Sequence, residues 1–456
     1  MAKATIDIMN GSVSSYDSDS EIVKEGWLLK RGEHIKNWRQ RYFRLYKDGR
    51  LWGFKSPNQS EPINTFSANC CLVHKSEKKG KNFMFSLRWI QMTSVVVRLL
   101  ATTDEEERQQ WITLIQEVRM KNTMESIDLS QNLTLDDFQL IRLLGKGSFG
   151  KVILVKNYKT GEVSAMKVMK KQQIINQNEV AHIKAETNVL RHLRHPFLTM
   201  ATFIFQTQHN ICIGMEYLIG GDLFSLLVKA GKFTENRAQF YIAEVICGIG
   251  YLHSQRVIYR DLKLENVLID KDGHIRIADF GLCKENISYT DVATTFCGTA
   301  EYLAPEVISS EIYGRAVDWW SVGILLYEMV TGKMPFHGSK KEVMESIISK
   351  EPLLPTFLSA NSASILRALL QKDPEFRLGG GVRDIEDIKM HRFFSSLNWE
   401  DLEQKKIEPK WKPVYTDIED TRNFDHEFTI QSVDLTPPDG NDSLNQEDGV
   451  DPFDEF

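Results

Sequence analysis

Residues 259–281 read Tyr-Arg-Asp-Leu-Lys-Leu-Glu-Asn-Val-Leu-Ile-Asp-Lys-Asp-Gly-His-Ile-Arg-Ile-Ala-Asp-Phe-Gly, and no other stretch constrains the chain so tightly. Val267 to Ile269 and Ile275 to Ala278 are apolar runs of strand length, joined across Asp270 to Gly273, and read as a short β-hairpin. Asp261, Lys263, Asn266 and Asp279 punctuate those runs rather than scatter through a polar loop. Each has a separate task around one nucleotide. Asp261 would accept the proton of an attacking hydroxyl and Lys263 would steady the transferring phosphate, while Asn266 and Asp279 would hold Mg2+ against phosphate oxygens. The chemistry is phosphoryl transfer to a hydroxyl.

A Gly-x-Gly-x-x-Gly run lies upstream: Gly145, Lys146, Gly147, Ser148, Phe149 and Gly150, followed by Val152. Glycines let backbone close over phosphates where side chains would collide. Dinucleotide folds share this spacing, but there a helix follows, whereas here a strand with Ala165, Met166 and Lys167 does. Lys167 would pair with the α- and β-phosphates of ATP. Glu186, on a helix expected over 179–193, is its ion partner in preference to Glu179 or His182. Met215, Glu216, Tyr217 and Leu218 read as the strand that bonds adenine, with Met215 at the back of the pocket. Gly214 is expected to soften that pocket. Glu306 is expected to pair with Arg377, and Asp318 to anchor the backbone around Asp261.

The chain is 456 residues long, which implies more than one domain. Residues 1–20 are Ser-rich and expected to be disordered. Strands are expected at Gly26–Lys30, Arg41–Tyr46, Leu51–Phe54, Phe83–Leu87 and Val95–Leu99, with a helix over 104–119 presenting Trp111, Leu114, Ile115 and Val118 on one face. Together these make a domain over 21–120. A polar linker covers 121–137, an α+β domain spans 138–394 with strands first and helices after Asp222, and a Pro- and acid-rich tail covers 395–456. Residues 21–120 hold 18 Lys/Arg against 11 Asp/Glu, and 419–456 hold 12 acids against one base, which suggests an anionic partner for the front. The longest apolar stretch, Val322 to Val330, is interrupted by Glu328 and reads as a buried helix, and no signal or myristoylation pattern opens the chain. The six cysteines lack metal-site spacing and read as reduced thiols of a cytosolic protein, with a regulatory Cys283–Cys297 disulfide left open.

Tyr-Arg-Asp at 259–261, Thr295-Phe-Cys-Gly-Thr299 and the Phe-rich tail resemble the AGC group of serine/threonine kinases. Asp261-Leu-Lys-Leu-Glu-Asn266, Asp279-Phe-Gly-Leu-Cys-Lys284 and Gly314-Arg-Ala-Val-Asp-Trp-Trp320 narrow the resemblance to the Akt, or protein kinase B, family. It runs from about Val23 to the last residue. It implies a multidomain α+β protein: a pleckstrin-homology β-barrel capped by its C-terminal helix, a bilobal kinase fold and an extended tail. It also implies ATP and Mg2+ as cofactors, and protein Ser/Thr near upstream Arg as substrate. Thr295 becomes the site phosphorylated by an upstream activating kinase, with Arg260 among its partners and Thr290 and Thr294 as competing sites. Thr299 contacts Asp261 and Lys263. Glu265 and Asp222 read basic substrate residues, although the family has Glu in place of Asp222 and Pro in place of Ala300.

Arg39 and Arg41 are two apart, so on a strand they share a face, and Lys30 on a partner strand can converge with them. Three cations at one open end of a barrel suit a polyphosphate head group. The spacing resembles the phosphoinositide-binding class of pleckstrin-homology domains, which adds Asn64 and Arg98 to the site and Glu33 to its rim. A protein-docking module is the alternative. Nucleic acid is not an expected partner, because the basic excess is local and no RNA motif accompanies it. A monomer in the cytoplasm, recruited to the plasma membrane, is expected.

In the tail, Thr436 before Pro437-Pro438 matches the family's turn-motif phosphosite, and Phe453 and Phe456 match its hydrophobic motif. Akt relatives continue to a phosphorylated residue, whereas this sequence stops at Phe456, as the catalytic subunit of protein kinase A does. Either the terminal carboxylate, Asp454 and Glu455 replace that phosphate, or the sequence is a truncated form of a longer tail; both readings stay open. A catalytically dead scaffold and a lipid kinase are the rival functions. The intact Lys167, Glu186, Asp261, Asn266 and Asp279 argue against the first, and the Thr295–Glu306 segment against the second.

Overall fold

The computed structural model describes residues 21–32, 37–59, 61–68, 71–76, 83–91, 94–125, 133–147, 150–177, 179–284, 298–433 and 452–453. They form two compact units, one up to Ser126 and one from Ile127. Glu33, Ser148, Phe149, Thr295, Cys297, Thr436 and Phe456 lie outside the described residues.

The first unit is a seven-stranded antiparallel sheet with one helix. Its strands are β1 (Ile22–Arg31), β2 (Trp38–Tyr46), β3 (Arg50–Phe54), β4 (Asn64–Ser67), β5 (Leu72–Lys75), β6 (Phe83–Gln91) and β7 (Ser94–Thr102), in the order β4-β3-β2-β1-β7-β6-β5. Side chains alternate along a strand, so Leu28, Phe43, Leu45, Leu51, Phe85, Leu87 and Leu100 fall on one face and make one core. Helix α1 (Glu105–Glu125) closes it with Trp111, Ile112, Ile115 and Val118. Asp104 accepts the N–H groups of Glu106 and Glu107 at the helix start. The helix runs six residues past the expected end, because Met120 to Glu125 contains neither Gly nor Pro to stop it. The four-residue strands β4 and β5 were too short to stand out in the sequence.

The second unit opens with a five-stranded sheet: β8 (Phe138–Gly147), β9 (Gly150–Asn157), β10 (Val163–Lys170), β11 (Ala201–Gln206) and β12 (Asn210–Glu216), ordered β11-β12-β10-β9-β8. Helices α2 (Lys171–Asn176) and α3 (Val180–His192) follow β10. The larger lobe is built on α4 (Leu223–Ala230), α5 (Glu235–Ser254), α6 (Pro305–Ile308), α7 (Ala316–Thr331), α8 (Lys340–Ser349), α9 (Ala360–Leu369) and α10 (Ile385–Lys389). Helix α7 is buried from Ala316 to Val330. Apolar side chains point from it in every direction, with Asp318, Ser321 and Glu328 buried among them, so it forms the interior rather than a face of the lobe.

The hairpin read at 267–278 is present. Strands β13 (Val267–Ile269) and β14 (Ile275–Ile277) pair Val267 with Ile277 and Ile269 with Ile275. Gly273 turns the chain at φ 94°, and the Asp270 carboxylate accepts the N–H groups of Asp272 and His274. Gly214 departs from expectation. Met215 pairs with Ala165, whereas Gly214 points to the opposite face of the sheet, where the Phe203 ring fills its space. It makes room for an aromatic core residue and does not open the nucleotide side.

Candidate functional site

Asp261 sits at the centre of a bonded group. Lys263 Nζ lies 2.8 Å from Asp261 Oδ2 and 3.2 Å from Thr299 Oγ1, and the Thr299 hydroxyl donates to Asp261 Oδ1 at 3.2 Å. Asn266 Nδ2 donates to the Asp261 carbonyl (2.8 Å) and to Oδ2 (3.0 Å). The amide nitrogen is thereby committed inward, leaving the Asn266 oxygen as the donor atom for a cation. The backbone beneath is set by Asp318, which accepts Tyr259 N–H at 2.9 Å and Arg260 N–H at 2.8 Å. Arg260 is held at φ 70°, and its guanidinium is spent on the Leu282 carbonyl and the Tyr313 hydroxyl.

Lys167 on β10 reaches Glu186 Oε1 on α3 at 2.7 Å and Asp279 Oδ1 at 3.6 Å. Burial works against the lysine's charge, yet Glu186 and Asp279 hold its pKa above the usual range. Lys167 in turn holds Asp279 below the usual carboxylate range, and burial pushes Glu186 up. Asp279 takes φ 58°, turning its carboxylate toward Lys167. A carboxylate and an amide oxygen are hard donors, the set Mg2+ takes together with substrate phosphates.

Gly145 and Gly147 stand open, with nothing within 4 Å of an added Cβ. Gly150 differs: its Cβ would fall 1.8 Å from the Val168 carbonyl oxygen, so strand packing alone demands glycine there. Lys146 pairs with Lys151 in the β8–β9 ladder. Val152 and Ala165 border a small apolar cluster with Leu144, Leu154 and Val163 beside the β12 end, where Glu216 meets Arg276 at 3.3 Å and Leu218 is buried.

The expected acidic pair is present in altered form. Asp222 caps α4, accepting the N–H of Ser225 at 2.7 Å and its hydroxyl at 2.8 Å. Glu265 is raised by burial, with Asp222 and Asp261 adding repulsion. Glu328, taken from the sequence only as an interruption in an apolar run, bonds the Tyr302 hydroxyl at 2.7 Å. Burial, reinforced by Glu265, lifts it to about 7. The sequence signal was available: an acid in the middle of an otherwise buried helix is costly unless it is used.

Tail residues also enter the site; the hydrophobic motif pointed to Phe453, but nothing in the sequence suggested the contacts of residues 419–424. Phe424 stacks on Tyr217 with centroids 5.6 Å apart, Asn423 donates to the Ile219 carbonyl at 3.0 Å, and Tyr217 donates its hydroxyl to the Asp420 carbonyl. Lys156 and Glu419 pair at 2.7 Å. Phe453 is fully buried in the main core, with Lys171 Nζ 5.5 Å from its ring centroid and Gln206 bonding its carbonyl. Glu306 and Arg377 form a buried two-pronged pair at 2.6 and 2.8 Å. Cys283 is buried, with its thiol pushed well up by burial and directed at the Tyr259 carbonyl oxygen.

In the first unit, register places the basic residues together. Lys30 pairs with both Arg39 and Leu100, and Leu28 pairs with Arg41. Arg98 is two residues from Leu100, and Asn64 pairs with Gly53, itself opposite Phe43. Lys30, Arg39, Arg41, Asn64 and Arg98 therefore share the sheet face that carries the core. Among the described residues, Asn64 Oδ1 is buried without a hydrogen-bond partner.

Three family matches divide the chain: PH domain over 22–119, protein kinase domain over 138–394 and protein kinase C terminal domain over 416–456. The human RAC-beta serine/threonine-protein kinase is 46% identical, covering 94% of this chain and 95% of the relative. The chain belongs to the RAC, or Akt, family of serine/threonine-protein kinases. The Drosophila melanogaster RAC serine/threonine-protein kinase is 44% identical over 95% of this chain and 79% of its own length. A Xenopus laevis RAC-beta kinase is 45% identical over 93% and 95%. This Akt-family enzyme thus joins a PH domain to a serine/threonine protein kinase domain, and a protein kinase domain implies ATP as the phosphoryl donor. Among the described residues no helix is long and apolar enough to cross a membrane.

Proposed function

We propose that this kinase transfers the γ-phosphate of ATP to Ser or Thr hydroxyls of proteins with basic residues upstream, after phosphoinositide lipids draw it to a membrane. The observation that carries the catalytic part is the bonded group Asp261–Lys263–Thr299–Asn266 facing the Lys167–Glu186–Asp279 triad. Asp261 accepts the hydroxyl proton, Thr299 and Asn266 fix its carboxylate, and Lys263 lies beside the transferring group. Lys167, held by Glu186, orients the α- and β-phosphates. Asn266 and Asp279 would hold Mg2+, which neutralises phosphate charge when bound. Glu265, Glu328 and Asp222 offer negative charge to an arginine, and the first two gain most when that cation arrives because repulsion and burial raise them.

The shared face of Lys30, Arg39, Arg41, Asn64 and Arg98 supports a polyphosphate head group as the ligand of the first unit. Phosphorylation of Thr295 by an upstream kinase, and of Thr436 in the tail, would add negative charge that arginines such as Arg260 can pair with. The decisive experiment is a peptide-kinase assay of the wild type beside Asp279→Ala. Activity should fall below detection in the variant, and equal incorporation of phosphate by both would return the chain to a scaffold.

A further inference from the structure

A line of hydrogen bonds leads from the catalytic loop through Asp318 and His253 to a carboxylate just before α10. Asp318 on α7, which holds Tyr259 and Arg260, also faces His253 Nε2 at 2.9 Å. The other imidazole nitrogen, Nδ1, lies 3.1 and 3.3 Å from the two oxygens of Asp384, just before α10. Asp384 further accepts Trp319 Nε1 at 2.6 Å and pairs with Arg315 at 3.2 Å. His253, Asp318 and Asp384 are all buried.

Two details argue against passive packing. Asp384 is a non-glycine residue at φ 51° and ψ −124°, a conformation that persists only where the surroundings over-determine it. It occupies the N-cap position of α10 yet makes no capping bond with its side chain. The carboxylate is given wholly to His253, Trp319 and Arg315. At the other end of the line Arg260, also at positive φ, directly precedes Asp261. The angle at which Asp261 meets a hydroxyl follows from where Asp318 holds that peptide.

We propose that Asp384 is a positioning residue for phosphoryl transfer, fixing His253 so that His253 fixes Asp318 and the catalytic loop. An imidazole between two carboxylates serves both only as the imidazolium, with both nitrogens donating. The charged groups facing His253 are Asp318 from α7 and Asp384 from before α10. Arg315 lies beyond Asp384, and Cys283 near Asp318 is an uncharged thiol. Burial opposes the imidazolium, but Asp384 and Asp318 lift its pKa to about 9. Above that pH the ring keeps one proton, and one carboxylate loses its donor.

The test is the single-turnover transfer rate of the activated full-length chain, wild type against Asp384→Asn and Asp384→Ala, across neutral to alkaline pH. In the wild type the rate falls as pH rises through about 9, where His253 loses its proton. In Asp384→Asn the amide oxygen keeps the Trp319 bond and the amide nitrogen donates to Nδ1 at the cost of the Arg315 pair, while neutral His253 donates from Nε2 to Asp318. That variant therefore keeps its neutral-pH rate and loses the alkaline fall. Asp384→Ala frees the ring and slows transfer on the order of 10- to 100-fold, with the peptide KM unchanged. A wild-type alkaline limb in Asp384→Asn overturns the proposal. So does a wild-type rate in folded Asp384→Ala. If the alanine variant does not fold, the Asp384→Asn profile decides alone.

Discussion

Replacing Gly214 by valine separates a packing role from a nucleotide role. A Cβ at 214 would lie 2.2, 2.3 and 2.4 Å from three atoms of the Phe203 ring, where ordinary contact begins at 3.4 Å. The ring would have to retreat by more than 1 Å. It has nowhere to go, because Phe138 lies 4.7 Å away and Phe205 6.0 Å away, centroid to centroid. Overpacking of this kind costs about 1–3 kcal/mol, and valine, with two further methyl groups, belongs at the upper end. Phe203→Val alone leaves a void and costs a similar amount. The double variant puts new methyl groups into the space the ring gave up, so the two changes should couple favourably by about 1–2 kcal/mol. Native-state hydrogen exchange at the β10 and β12 amides reads the local stability, and KM for ATP reads the pocket. Gly214→Val should weaken protection in both strands and leave KM unchanged, since Met215 and not Gly214 shares the face of Ala165. Additive stability effects, or a shifted KM without lost protection, would refute the argument.

Arg377→Met leaves Glu306 buried without its partner and should destabilise the large lobe by about 3–5 kcal/mol, measured by urea unfolding. Glu328, raised to about 7 from an ordinary 4.5, binds its proton more tightly folded than unfolded. Its contribution to stability is therefore present below the ordinary value and lost as pH rises through about 7. Its attraction for a cation runs the other way, so KM for an arginine-bearing peptide should rise as pH falls through about 7, and Glu328→Gln should flatten that profile.

The catalytic group was legible because each residue lies within a few positions of a short strand, and local spacing carries its geometry. The Glu306–Arg377 pair and the Asp318 anchor were also readable, since each belongs to a short motif with a fixed partner. Gly214 was misjudged because strand alternation, not residue type, decides which face a glycine serves. Glu328 was passed over because its apolar neighbours dominate any window that contains it. Phe424 and Asp420 were invisible for a different reason: their partners at Tyr217 lie about two hundred residues away, and no periodicity encodes so distant a contact.

The strap formed by Glu419, Asp420, Asn423 and Phe424 makes the nucleotide pocket and the tail partners in one equilibrium. Phe424 leans on the same cluster as Val152 and Ala165, so a tail that lifts away takes part of the pocket wall with it. Linkage is reciprocal: whatever free energy the docked strap adds to nucleotide binding, bound nucleotide must return to the strap. With ATP in the pocket proposed above, a docked strap and a bound nucleotide would favour each other, and whatever captures the tail would have to overcome that coupling.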